Sequence, residues 1–106
     1  MTSDHVVALS TAPSMEQAAA LARTLVQERL VACVNLVPAV RSIYQWKGEL
    51  CDEAEVLCVM KTRKDHVDAL RARLPALHPY DVPELVVLDV AAGHAPYLAW
   101  IDASVG

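Results

Sequence analysis

Glycine is scarce in this chain: its 106 residues include only Gly48, Gly93 and Gly106. Neither a P-loop nor a G-x-G-x-x-G turn can be built from three glycines so far apart, which excludes the usual backbone cradles for phosphate. Phenylalanine is absent, and alanine supplies much of the 55% hydrophobic share, so that share permits oligomerisation without requiring it. Basic residues are not in excess. The net charge of −4 and pI near 5.4 exclude nucleic acid or an anionic membrane as the main partner. There is no apolar run of ~18 residues, the length a membrane-spanning helix needs. The first residues, MTSDHVV, lack the basic and apolar regions of a signal peptide. Cys33, Cys51 and Cys58 are an odd set without C-x-x-C spacing, which suits a reducing compartment better than a disulfide framework. A cytoplasmic location is therefore expected. None of Ser3, Ser10, Ser14, Ser42 and Ser104 stands in a nucleophile-elbow context, so nothing favours a Ser-His-Asp triad. No stretch is of low complexity or long enough to be a linker, so residues 1–106 form one domain.

The chain is organised around the stretch from Ala32 to Thr62. Val40, Ser42, Tyr44 and Trp46 alternate with Arg41, Ile43 and Gln45, which is a strand signal. Beyond a turn at Trp46-Lys47-Gly48, Ala54, Val56, Cys58 and Met60 alternate with Glu53, Glu55, Leu57, Val59 and Lys61. The pattern predicts a long β-hairpin, against the alternative of two shorter strands and an irregular loop at Leu50–Glu53. An arm from Val31 to Trp46 spans roughly 50 Å at ~3.3 Å per residue. A domain of this size has a radius of gyration near 13 Å and is only ~35 Å across. The hairpin must therefore bend, project, or both, and Pro38, which cannot donate to a ladder, locates the bend.

The remaining elements follow in order. Val6–Leu9 reads as a strand ending in a Ser-Thr-Ala-Pro turn. Ser14 and Gln17 form a capping-box signal for an amphipathic helix from about Met15 to Arg29. Thr62–Asp65 opens a second helix with Val67, Leu70, Leu74 and Leu77 as its buried stripe, disrupted by Pro75 near its end. His78-Pro79-Tyr80-Asp81-Val82-Pro83 must be irregular. Glu84–Val90 reads as a strand, and Pro96 opens a short C-terminal helix. The order β-α-β-β-α-β plus a terminal helix predicts an α+β, ferredoxin-like split βαβ sandwich with two helices on one sheet face. The other face is apolar enough to need a partner, and an oligomer is expected.

Two kinds of site can be written from the residue types. Soft thiolate with imidazole suits copper or zinc, and the available groups are the three cysteines with His5, His66, His78 and His94. No local spacing assembles them, so a metal site must be built by the fold or between subunits. Cys33 reads either as a buried small hydrophobe or as a ligand, His78 either as a ligand or as a hydrogen-bonded structural residue. Cys51, near the hairpin tip, is expected to be exposed and oxidisable. The other kind of site is a polar cleft: Asn35, Ser42, Glu55 and Lys61 interrupt apolar strands, and Tyr80 and Glu84 border the irregular loop. These groups either pair with one another or line a ligand pocket.

Several blocks in order resemble the CutA divalent-cation tolerance protein family: Ala32-Cys33-Val34-Asn35, Ser42-Ile43-Tyr44-Gln45-Trp46-Lys47-Gly48, Glu55 with Lys61-Thr62, His78-Pro79-Tyr80 leading to Val82-Pro83-Glu84, and Tyr97-Leu98-Ala99-Trp100-Ile101. The resemblance covers about Val6 to Ser104. It implies a ferredoxin-like protomer in a tight PII-like homotrimer whose long hairpins pair between subunits. It also implies tolerance to copper and other divalent ions without catalysis or a required cofactor. Cys33 and His78 match family positions and become the implied metal residues. Ser10 stands where some members carry cysteine, which removes a soft ligand. The alternative is a PII-like sensor that takes a small molecule in inter-subunit clefts, with Asn35, Ser42, Tyr44, Trp46, Glu55, Lys61, Tyr80, Glu84 and Trp100 as the cleft residues.

Overall fold

Two alternating arms, β2 (Cys33–Trp46) and β3 (Glu49–Arg63), are the longest elements of the fold. Lys47 (φ 50°) and Gly48 (φ 81°) join them, leaving Trp46 paired with Glu49. Positive φ at both central residues is the geometry whose twist matches the flanking strands, and glycine takes it without strain. The ladder is regular from Cys33↔Lys61 to Val37↔Leu57 and resumes at Val40↔Glu55. Between those points β2 holds one residue more than β3, with Pro38 and the left-handed Ala39 (φ 61°) in the bulge. A proline has no N–H to give the ladder, so the irregularity sits where the chain cannot pair. The computed structural model describes residues 3–106. Its extents of 44 × 28 × 23 Å reflect the projecting hairpin, and the irregular loop at Leu50–Glu53 is not formed.

Strands β1 (His5–Ala12) and β4 (Val86–Asp89) complete an antiparallel sheet of order β2-β3-β1-β4. β1 runs three residues past the expected Leu9. Ser10, Thr11 and Ala12 pair with Cys58, Leu57 and Val56, so ladder bonding overrides their turn propensity. β4 is shorter than the expected Glu84–Val90, because only Val86–Asp89 find partners on β1.

Helices α1 (Met15–Gln27) and α2 (Val67–Leu77) cover one sheet face. Ser14 accepts from the Gln17 N–H at 3.2 Å and its hydroxyl meets Gln17 Oε1, so the expected cap forms on its serine side. α1 stops two residues before the expected Arg29. That residue turns left-handed (φ 61°) and donates from its guanidinium to the carbonyls of Ala103, Ser104 and Val105. It thus closes the C-terminal end of α3 (Ala95–Ser104). A 3-10 turn at Lys64–His66 precedes α2, and Pro75 lies inside the last turn of α2 without ending it. Leu21, Leu25, Leu70 and Leu74 pack on Ala8, Met60 and Val31, and Ala18 packs on Ala12, Val56 and Cys58.

On the opposite face α3 covers only one end, where Asp102 holds His5 at 2.8 Å and Arg63 at 2.9 Å. Val37, Val86 and Leu88 on that face are 42–49% exposed, as the open-face expectation required.

Ser10 lies on the helix side beside Cys58, fully buried, and its hydroxyl has no partner. An unpaired buried hydroxyl costs about 1–3 kcal/mol, more than the small void left by its removal. Ser10→Ala is therefore expected to stabilise the fold by about 1 kcal/mol. Urea unfolding would register this as a higher midpoint at unchanged slope.

Candidate functional site

Because the bulge shifts the register, Val40, Ser42, Tyr44 and Trp46 fall on the same sheet side as Glu53 and Glu55. The loop from α2 to β4 wraps the end of β1 and faces this side of the hairpin. Between them lies a cleft of about 790 Å³ lined by Thr11, Ser42, Tyr44, Trp46, Glu53, Glu55, Tyr80, Asp81 and Glu84, with Ile43, Pro79, Val82 and Pro83.

His78 fixes the loop. The side chain is buried, its Nε2 donates to the Thr11 carbonyl at 2.7 Å, and its Nδ1 accepts from the Tyr80 N–H at 3.1 Å. With both ring nitrogens occupied, the imidazole is locked in its Nε2–H tautomer. Its ring lies 4.8 Å from that of Tyr80, which places the Tyr80 hydroxyl to donate to Glu55 Oε2 at 2.8 Å. Tyr44 donates to Glu53 Oε2 at 3.2 Å. Four carboxylates, Glu53, Glu55, Asp81 and Glu84, thus line one opening, and no lysine, arginine or histidine joins them. None of the four enters an ion pair among the described residues.

The phenols respond to this setting. Desolvation, then the hydrogen bond to Glu53 and its charge, push Tyr44 up to about 12. Desolvation and the bond to Glu55 raise Tyr80 further. Tyr97, raised chiefly by its contact with Cys33, completes the set of three tyrosines.

Of the residues expected at an inter-subunit cleft, Ser42, Tyr44, Trp46, Glu55, Tyr80 and Glu84 lie together within one chain. Asn35, Lys61 and Trp100 do not join them within that chain. Lys61 donates to Asn35, and Trp100 stacks on Tyr97 at 5.6 Å, at the end of the sheet under α3. Cys33 belongs to that end too, with Sγ 3.6 Å from the Tyr97 hydroxyl. Cys33 and His78 are not brought together in one chain. Cys33 pairs with Lys61, whereas His78 is tied to Thr11 opposite Leu57, about 13 Å further along β3. No group of three or more His, Cys, Asp or Glu among the described residues converges as a metal site. Cys51 is half-buried rather than exposed, and Cys58 is buried, with burial holding its thiol above the ordinary range. Glu53, Asp81 and Thr11 are cleft residues that the sequence reading did not single out. Of these, Glu53 was signalled by sharing a strand face with Glu55.

Over residues 6–104 the sequence matches the family model described as CutA1 divalent ion tolerance protein. The divalent-cation tolerance protein CutA of Thermus thermophilus is 47% identical over 100 residues, which cover 94% of this chain and 97% of that one. The protein of the same name from Pectobacterium atrosepticum is 46% identical over 101 residues, covering 95% and 92%. The crystal structure of CutA from Xylella fastidiosa matches the fold with a TM-score of 0.94 at 40% identity, over 98% of this chain and 100% of that chain.

A tyrosine whose pKa is raised in the folded state contributes stability that is whole below its unfolded value, near 10, and is lost as pH climbs through the folded value. All three tyrosines are raised, so at pH 10 the native protein should carry far less tyrosinate than the same chain in urea. Absorbance titration of phenolate tests this; equal titration of both states would contradict the carboxylate–phenol pairing. Glu53→Gln should bring Tyr44 down from about 12. Replacing His78 with Ala should cost about 2 kcal/mol, since it strands the Thr11 carbonyl and the Tyr80 N–H. Thermal or urea unfolding measures that loss.

Proposed function

The chain belongs to the CutA1 divalent ion tolerance protein family, and from that premise we propose that it is a homotrimeric divalent-cation tolerance protein that binds divalent metal ions, copper(II) among them, at its acidic clefts. The observation that carries this reading is the cleft itself: four carboxylates around one opening with no cationic side chain lining it. Such an arrangement concentrates negative potential between low-dielectric walls and draws cations.

The donor set is oxygen-rich, which suits harder divalent ions better than copper(I). His78 does not fit as a ligand while it holds the loop, and Ser10 supplies no thiolate. One chain alone does not converge three ligands, so a neighbouring subunit would complete the coordination. Trimer formation has its own support. Val37, Val86 and Leu88 leave an apolar face open, and Ile43 and Leu50 near the hairpin tip are 61% and 72% exposed. The three cysteines, free in this fold, support a reducing, cytoplasmic setting. The role proposed is binding rather than catalysis.

A second reading, a PII-like regulatory trimer, has one observation in its favour: the cleft is far larger than an ion requires.

Calorimetric titration of the reduced protein with Zn(II), Cu(II) and Cu(I) separates these possibilities, with light scattering to give the subunit number. Divalent ions are expected to bind saturably, and Glu55→Gln is expected to weaken them about tenfold, the effect of removing one charged ligand. Binding abolished by Cys33→Ala yet untouched by Glu55→Gln would move the site to the Cys33 end. No saturable binding of any of the three ions would sink the metal reading.

A further inference from the structure

The cleft has a wall that a metal ion does not use. Tyr44 and Trp46 are 39% and 48% exposed and, with Tyr80, line the same opening as the carboxylates. The carboxylates do not converge as an ion-sized cage. Glu53 and Glu55, two residues apart on one face of β3, are spaced by about 6.6 Å along the strand. Asp81 and Glu84 add charge from the opposing loop. A second, independent feature points to a bound molecule. Thr11 is 92% buried, lines the cleft, and its hydroxyl has no hydrogen-bond partner among the described residues. It is an open donor and acceptor at the cleft wall, where Ser42 also lies.

Separated anionic points joined by aromatic surface match a cation of the same pattern: ammonium groups separated by short methylene chains. Each ammonium meets a carboxylate, and the methylenes lie on the rings, where the neighbouring positive charge is also attracted to the π face. A spacer of roughly three or four methylenes spans the Glu53–Glu55 interval. We propose that the cleft between the hairpin and the Tyr80 loop binds an aliphatic polyamine, with Glu55 and Glu53 holding successive ammonium groups, Tyr44 and then Trp46 covering the methylenes that run on from Glu53 toward the hairpin tip, and Thr11 hydrogen-bonding an amine N–H. This assignment rests on the reading of the cleft as a cation site and names a different class of cation for it.

Spermidine titrated into the 106-residue chain by calorimetry, at about physiological ionic strength to screen diffuse attraction, tests it. Saturable binding at one molecule per chain is expected, weakened about tenfold by Glu55→Gln and several-fold by Trp46→Leu. Thr11→Val, which keeps the shape of the strand residue, is expected to weaken it as well. Circular dichroism and subunit number of each variant exclude misfolding as the cause. Affinity unchanged by Trp46→Leu and Thr11→Val, and lost with modest added salt, would overturn the proposal, since that is the behaviour of diffuse charge. Metal binding without spermidine binding would overturn it and leave the metal reading standing. Spermidine binding without metal binding would support it and remove the metal reading. Absence of both would end both.

Discussion

A strand ladder that loses register by one residue turns every later side chain to the other face, and in this hairpin that slip between Val37 and Val40 decides what the cleft contains. Without it, Arg41 would fall on the side of Glu53 and Glu55 and neutralise them. With it, Arg41 goes to the opposite side, where it holds Asp52 through two bonds of 2.8 and 2.6 Å. Ser42, Tyr44 and Trp46 take its place among the carboxylates. The cause is local and covalent: Pro38 has no N–H, and Ala39 accepts a left-handed backbone to absorb the extra residue. The bulge therefore bends a hairpin too long for its domain and also sorts charge between its faces.

The second constraint is the His78 tether. The loop after α2 contains Pro79 and Pro83 and cannot organise itself by backbone bonding. A single imidazole ties it to the last part of β1 and sets Tyr80 over Glu55. This depends on β1 extending to Ala12, because the accepting carbonyl is that of Thr11. The hydrogen bonds that lengthen β1 beyond its apolar run are thus what give the loop an anchor.

Much of the architecture was legible from residue order. Alternation gave the hairpin arms, Gly48 the turn, Pro38 the bend, Ser14 and Gln17 the start of α1, and the leucine stripe the face of α2. The failures are cases where a distant partner outweighs local preference. Ser10–Ala12 looks like a turn until β3 is beside it, and Arg29 looks helical until the carbonyls at the end of α3 are present. At the site, residue type alone does not say what His78 does: it is metal-capable, but whether an imidazole has a free lone pair depends on what surrounds it, and here both nitrogens are committed. Four cleft residues, Ser42, Glu55, Tyr80 and Glu84, were legible because they interrupt apolar strands or border a proline-rich loop, whereas Tyr44 and Trp46 came with the family resemblance. Asn35 and Lys61 interrupt strands too, but they satisfy each other on the far side of the slip.

The cleft and the open sheet face are neighbours, and each is unfavourable if left as it is. Four carboxylates around one opening repel one another, and Tyr44 and Tyr80 relieve this only by hydrogen bonding, without adding charge. The apolar face leaves Val37, Val86 and Leu88 in contact with water. Any cation that binds the folded cleft stabilises the fold by mass action, in proportion to the logarithm of its concentration above Kd. Any association that covers the face does the same through subunit concentration. Since the same hairpin borders both surfaces, a shift in one alters the strand that shapes the other. A cation held in the cleft and a partner on the open face would for that reason act on the same strand, and each would add to the stability of the fold the other binds.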